Sequence, residues 1–129
     1  MTAPRITGLG GVFFRARDPD SLGAWYRDRL GVPVEDGRFA VFHWREAGEP
    51  ERPGSTVWSV FPEDTDYFGP RSSQFMVNFR VEDLDRVLSE LRAEGVAVDE
   101  RVEKTEQGRF GWIVDPEGNR IELWEPAGE

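Results

Sequence analysis

Two stretches of this chain repeat one another in the same order, and nothing else in the sequence limits the fold as strongly. Gly37-Arg38-Phe39 recurs as Gly108-Arg109-Phe110. Val57-Trp58-Ser59-Val60-Phe61-Pro62 is matched by Ile121-Glu122-Leu123-Trp124-Glu125-Pro126. Asp18-Pro19-Asp20-Ser21-Leu22 opens a helical stretch that ends at Leu30-Gly31, and Asp83-Leu84-Asp85-Arg86-Val87 opens another that ends at Glu94-Gly95. The unit is about half the chain, too long and too few in number for a solenoid. Two copies of one supersecondary unit must share a core, and the join between them is the first place to seek a binding site.

The repeat reads as strand, helix, then three strands. Residues 9–16 alternate, with Val12, Phe14 and Ala16 on one face and Gly11, Phe13 and Arg15 on the other. The acidic and hydroxyl residues at 18–21 can accept backbone N–H bonds, which predicts a helix start. Leu22, Trp25, Tyr26 and Leu30 recur at helical spacing as its packing face, and Gly31 supplies a left-handed stop. A short strand is predicted at 32–35, a hairpin turn at Asp36-Gly37, and strands at 39–44 and 55–61. The second unit predicts a strand at 74–81 and a helix at 83–94 with Leu84, Val87, Leu88 and Leu91 inward. Strands at 96–102, 109–114 and 120–124 complete it. The expected class is α+β, a single domain over 1–129 built of module 1 (about 6–62) and module 2 (about 73–126). The linker 63–72 contains Tyr67 and Phe68-Gly69-Pro70, which predict an ordered connection that covers something.

Composition narrows the partners. With 25 acidic against 16 basic residues the net charge is -9, which disfavours nucleic acid. No apolar run approaches the roughly 18–20 residues needed to span a membrane. Met1-Thr2-Ala3-Pro4-Arg5-Ile6 lacks the apolar stretch of a signal peptide, so a cytoplasmic protein is expected. The absence of cysteine excludes disulfides, thiolate catalysis and Cys-ligated metals. Gly8-Leu9-Gly10-Gly11 precedes a strand rather than a helix, so it is no dinucleotide-binding loop. Nine Phe and five Trp point to a well-filled core or an aromatic-lined pocket.

On this frame Trp25-Tyr26-Arg27-Asp28-Arg29-Leu30-Gly31 and Asp115-Pro116-Glu117-Gly118-Asn119-Arg120-Ile121-Glu122-Leu123 carry a resemblance that covers nearly the whole chain. The chain resembles the vicinal oxygen chelate superfamily, which includes glyoxalase I, bleomycin-resistance proteins, extradiol dioxygenases and fosfomycin-resistance enzymes. The resemblance implies that two βαβββ modules form a curled mixed sheet, a cup. It implies a divalent metal held by four side chains, usually His, Gln or Glu, one from the first and one from the last strand of each module. Carried over by the repeat, these positions are Gly11, Trp58, Met76 and Glu122. Only Glu122 offers a ligand for a hard or borderline ion, and stable sites need about three or four protein ligands. The expectation is therefore no metal and no cofactor. A homodimer is implied by the resemblance, since relatives commonly pair.

The candidate site residues follow. Glu122 and His43 are the catalytic candidates, a cup-floor carboxylate and the one imidazole. The blander readings are a solvated relic for Glu122 and a partly buried sheet residue for His43. Phe13, Arg15, Trp58, Met76, Asn78, Arg80 and Trp124 are the ligand-binding candidates. Apolar packing and a solvated polar rim explain them equally well. The first expected function is binding of a small, largely apolar or aromatic molecule in the cup without the shared metal. The alternative is a glyoxalase- or dioxygenase-like enzyme, either a metal-free lyase or isomerase with Glu122 as base, or a metal enzyme whose ligands lie elsewhere. Fold alone does not choose between them.

Overall fold

The computed structural model describes residues 5–69 and 73–128; residues 70–72 of the expected linker lie outside them. The elements run β1 (Ile6–Ala16), α1 (Pro19–Leu30), β2 (Phe39–Arg45), β3 (Pro53–Pro62), β4 (Phe75–Val81), α2 (Leu84–Ala93), β5 (Ala97–Val98), β6 (Glu103–Thr105), β7 (Gly108–Val114) and β8 (Arg120–Pro126). They make one open mixed sheet in the order β2-β3-β1-β4-β8-β7-β5, with β6 on the side of β7. β1 and β4 pair antiparallel at the centre. Each takes a parallel partner outward, β3 on β1 and β8 on β4. The α+β class and the curled mixed sheet are as expected.

Both helices begin and end for local reasons that the sequence displays. Asp18 and Asp83 sit in extended backbone and accept the N–H of Ser21 and Arg86. Gly31 closes α1 with φ 71, and Gly95 follows α2 with φ 85. α2 covers β5, β7 and β8, and beneath it Val81, Leu84, Val87, Leu88 and Leu123 form a buried cluster. α1 covers β1 and β3 more lightly. A second cluster of Phe13, Phe68, Met76 and Trp112 lies apart from the first, with Val57, Phe61, Tyr67 and Phe110 packed against it. The sheet thus divides a helix-covered face from the inside of the cup.

Three local expectations differ. The strand at 32–35 reduces to a single bridge, Glu35 to Phe39. Pro33 has no N–H to give to a ladder, and Asp36 and Gly37 turn the chain at once with φ 49 and 73. The strand at 96–102 is broken into β5 and β6. Between them Asp99 Oδ1 accepts the Arg101 N–H at 2.8 Å, which bends the backbone out of the ladder. On α1, Trp25 is 51% and Leu30 61% exposed, although their spacing predicts packing.

The reason lies in Gly23, the one buried residue of α1. Its side faces the Asp36-Gly37 turn so closely that a Cβ would run into the Gly37 carbonyl oxygen. The helix therefore rests on Gly23 and, through Tyr26, on Trp58 and Phe14, rather than on Trp25 and Leu30. Gly23→Ala gains up to about 1 kcal/mol of helix propensity but must displace a turn backbone. We expect it to lower stability by about 1–3 kcal/mol in denaturant titration, the usual cost of overpacking. A stabilised variant would mean that this contact does not exist.

Candidate functional site

The cup floor is built where β4 meets β8. Asn78 and Glu122 stand side by side on these parallel strands, and Asn78 faces Gly11 across β1. Period-2 alternation carries Glu122 to the side opposite Ile121 and Leu123, away from α2. Glu122 is 1% exposed and accepts three hydrogen bonds. Asn78 Nδ2 donates to its Oε1 at 2.6 Å. Trp112 Nε1 donates to Oε2 at 3.0 Å, and the Tyr67 hydroxyl donates to the same oxygen.

Electrostatics at this point are those of a carboxylate held by neutral donors. Burial pushes the Glu122 carboxyl up from its ordinary range, while the hydrogen bonds from Tyr67, Asn78 and Trp112 pull it back. Tyr67 is pushed far above the usual phenol range, first by burial and then by the charge of Glu122. It therefore keeps its proton and remains a donor. Tyr67 is fixed by its surroundings, stacked on Phe61 at 5.4 Å and edge-on to Trp112 at 6.1 Å.

A cavity of about 280 Å³ opens beside these groups. Its apolar walls come from Phe13, Phe39, Val57, Phe61, Phe110 and Trp124. Its polar points are Ser59, Tyr67, Asn78, Gln107 and Glu122. Mostly apolar walls with few convergent polar groups are the usual make-up of a small-molecule site.

The expected site residues divide sharply. Phe13, Met76, Asn78, Glu122 and Trp124 come together in the cup; Met76 is buried against Phe13 and Trp112, and Trp124 lines the cavity. Trp58 does not. It pairs with Val12 and packs at 4.7 Å from Tyr26 and 6.1 Å from Phe14, on the helix side. Ser59, paired with Phe13, takes the cup position instead. Aligning Pro62 with Pro126 shifts the register by one residue, and one residue reverses the face. The buried pair Val60 and Leu123 gives the better match.

Arg15 is turned to the linker: its guanidinium donates to the carbonyls of Ser73, Glu63 and Thr65 at 2.6, 3.0 and 2.5 Å and lies over Phe68. Arg80 is buried between the rings of Trp44 and Trp124, at 5.3 and 5.1 Å, with Nη1 at 3.3 Å from Ser55 Oγ. His43 is exposed on the edge strand β2, opposite Ser55, and the hydrogen-bond partners of Glu122 do not include it. Tyr67, Trp112, Phe39 and Phe110 escape the sequence reading. The two phenylalanines did carry a signal, as the third residues of the repeated Gly-Arg-Phe. Trp112 follows Phe110 by one strand period, whereas nothing periodic marks Tyr67.

The donor set also bears on a metal. Of the four positions that the resemblance assigns to ligands, Gly11 has no side chain, Trp58 faces α1, and Met76 offers a thioether. Glu122 already receives three protein hydrogen bonds. Among the described residues no group of three or more His, Cys, Asp or Glu could hold an ion. These side chains do not fit a divalent centre.

Comparison with known proteins places this geometry among relatives. The chain is 25% identical over 107 residues to the uncharacterised protein YraH of Bacillus subtilis strain 168, across 78% of this chain and 84% of that protein. Its fold is similar to methylmalonyl-CoA epimerase from Mycobacterium tuberculosis, with TM-score 0.61, 24% identity, and 99% and 93% of the two chains covered. A Streptomyces coelicolor methylmalonyl-CoA epimerase in complex with 2-nitronate-propionyl-CoA gives TM-score 0.69 at 17% identity over 95% and 99%. The Mn(II)-bound glyoxalase from Novosphingobium aromaticivorans gives 0.57 at 20% identity, over 95% of this chain and 40% of that one. At these identities the structural likeness speaks for the fold alone. The family model for the Glyoxalase-like domain matches residues 11–124, and the chain belongs to that family, within the vicinal oxygen chelate superfamily.

Proposed function

We propose that this protein holds a small, largely apolar or aromatic molecule in its cup without the metal that the superfamily shares. One observation carries the reading: an aromatic-walled cavity of about 280 Å³ ends on a carboxylate whose hydrogen bonds go to protein donors. That volume lies near the lower end of ligand pockets, about 300–1,000 Å³, and suits a one- or two-ring compound. A metal-free lyase or isomerase with Glu122 as base is the second reading, favoured by the burial that raises proton affinity there. Against it, the carboxylate is already engaged by three donors. The continuous sheet supports reading 1–129 as one domain. Among the described residues no helix is long and apolar enough to cross a membrane. A cytoplasmic homodimer belongs to the same proposal.

A panel of one- and two-ring compounds screened by thermal shift tests the reading. At least one should raise the melting temperature with a saturable dose dependence, as ligands of the native state do by mass action. A panel without any stabiliser would count against it. Incubation of each binder with the protein, followed by product analysis, separates the two readings. Turnover that disappears in Glu122→Gln would decide for the enzyme.

A further inference from the structure

Where Asn78 meets Glu122 the cup offers an acceptor beside a carboxylate, which bears on the chemistry of the small molecule that the proposed function places there. Glu122 brings a carboxylate whose partners Tyr67, Asn78 and Trp112 are all neutral donors. Because Asn78 turns Nδ2 to Glu122, its Oδ1 points the other way, over Gly10. That oxygen is buried and has no hydrogen-bond partner among the described residues. A Cβ at Gly10 would collide with it, so glycine at position 10 is what leaves room for an acceptor there. Gly10 and Asn78 both line the cavity. An acceptor stripped of water and left unpaired is costly until a donor reaches it.

The surroundings favour positive charge. Phe13, Phe39, Phe61 and Phe110 contribute aromatic walls, whose ring faces are negative. Two arginines stand behind the walls without lining the cavity: Arg80 lies on Trp124 and bonds to Ser55, and Arg120 lies on Trp112 and pairs with Asp99, its charge being the last-ranked influence on Glu122 after burial and the three hydrogen bonds. The net charge of -9 adds attraction at longer range.

We propose that the cup selects an organic cation: a protonated amine or amidinium on a small aromatic frame. Its N–H donates to Asn78 Oδ1, its charge is balanced by Glu122, and its ring lies against the phenylalanine walls. A charge-assisted hydrogen bond in a water-poor site is the strongest contact such a pocket can make. The acceptor and the carboxylate then act as one recognition unit, joined through the Asn78 amide.

Calorimetric titration with 2-naphthylmethylammonium, 2-naphthylmethanol and 2-naphthoate tests this on the wild-type protein. The ammonium should bind at least about tenfold more tightly than the alcohol, as a charge-assisted bond implies, and the carboxylate should bind weakest. Nuclear Overhauser contacts should join the ligand's methylene to the Gly10 α-protons. Glu122→Gln should fold normally, because the new amide can donate to Asn78 Oδ1 once the Asn78 amide rotates. That rotation consumes the free acceptor and the substitution itself removes the carboxylate charge, so the tenfold preference should vanish. Equal or tighter binding of the alcohol or the carboxylate overturns the cation inference and leaves the cup reading standing. Binding of none of the three overturns both. A preference that persists in Glu122→Gln, or ligand contacts away from Gly10, overturns the assignment to this pair.

Discussion

Trp112→Ala is expected to lower the unfolding free energy by about 3–5 kcal/mol, the usual range for removing a buried tryptophan. Trp112 is 0% exposed and belongs to the cup cluster with Phe13, Phe68 and Met76. It meets Tyr67 edge-on at 6.1 Å, and the guanidinium carbons of Arg101 and Arg120 lie 4.9 and 5.1 Å from its ring. Its Nε1 also supplies one of the three bonds to Glu122. Truncation removes packing, leaves a void beneath the linker, and takes a donor from a buried carboxylate. Trp112→Phe should recover much of the packing but not the hydrogen bond, and so fall between the two. Urea titrations of the three proteins measure the series. A loss below about 0.5 kcal/mol in Trp112→Ala, the scale of an ordinary surface change, would mean that the ring is not buried as described.

Glu122→Ala should be nearly as costly, for a different reason. The charge itself opposes folding, since burial raises the carboxyl's proton affinity. What the side chain contributes is acceptance of three bonds, from Asn78, Trp112 and Tyr67. Leaving buried donors unpaired costs about 1–3 kcal/mol each. Water in the adjoining cavity can satisfy part of this, so the expected loss is about 2–4 kcal/mol. Glu122→Gln keeps an acceptor oxygen for Tyr67 and Trp112 and turns its amide toward Asn78. It should equal or exceed the wild type in stability.

Glu122 also has a pH signature with a definite sign. Its folded-state value is raised, so in the window between the ordinary and the raised value the native state holds more protons than the unfolded state. Stability contributed by the protonated group is fully present below the ordinary glutamate value and is lost as pH rises through the raised one. The wild type should therefore lose stability across that window relative to Glu122→Gln. Parallel profiles of the two proteins would contradict a buried Glu122 whose proton affinity is raised on folding.

Most of the frame is visible in the sequence because it is written in short-range signals. Asp18, Asp83 and Gly31 mark helix ends by what their atoms can do locally, and alternation along β4 and β8 brings Asn78 beside Glu122. The site is legible only where one strand's period decides the matter. Trp58 fails because its place came from an alignment between strands, where one residue of slip reverses the face. Arg15 lies on the cup parity of β1 but is drawn to the carbonyls of Ser73, Glu63 and Thr65. Alternation cannot see a loop returning overhead. Tyr67 is the same case from the other side: a linker residue enters the cup and completes the hydrogen bonds of a strand residue 55 positions away. No local pattern encodes that meeting.

The central claim is that the cup binds its ligand through aromatic walls and a protein-held carboxylate, with no divalent ion between. The most direct measurement is calorimetric titration of one confirmed small-molecule binder into protein as purified, after exhaustive chelation, and after chelation with divalent metal restored. The expected result is the same dissociation constant and stoichiometry in all three. Loss of binding on chelation, regained with Zn²⁺, Mn²⁺ or Fe²⁺, would contradict it and return Glu122 to the role of a metal ligand.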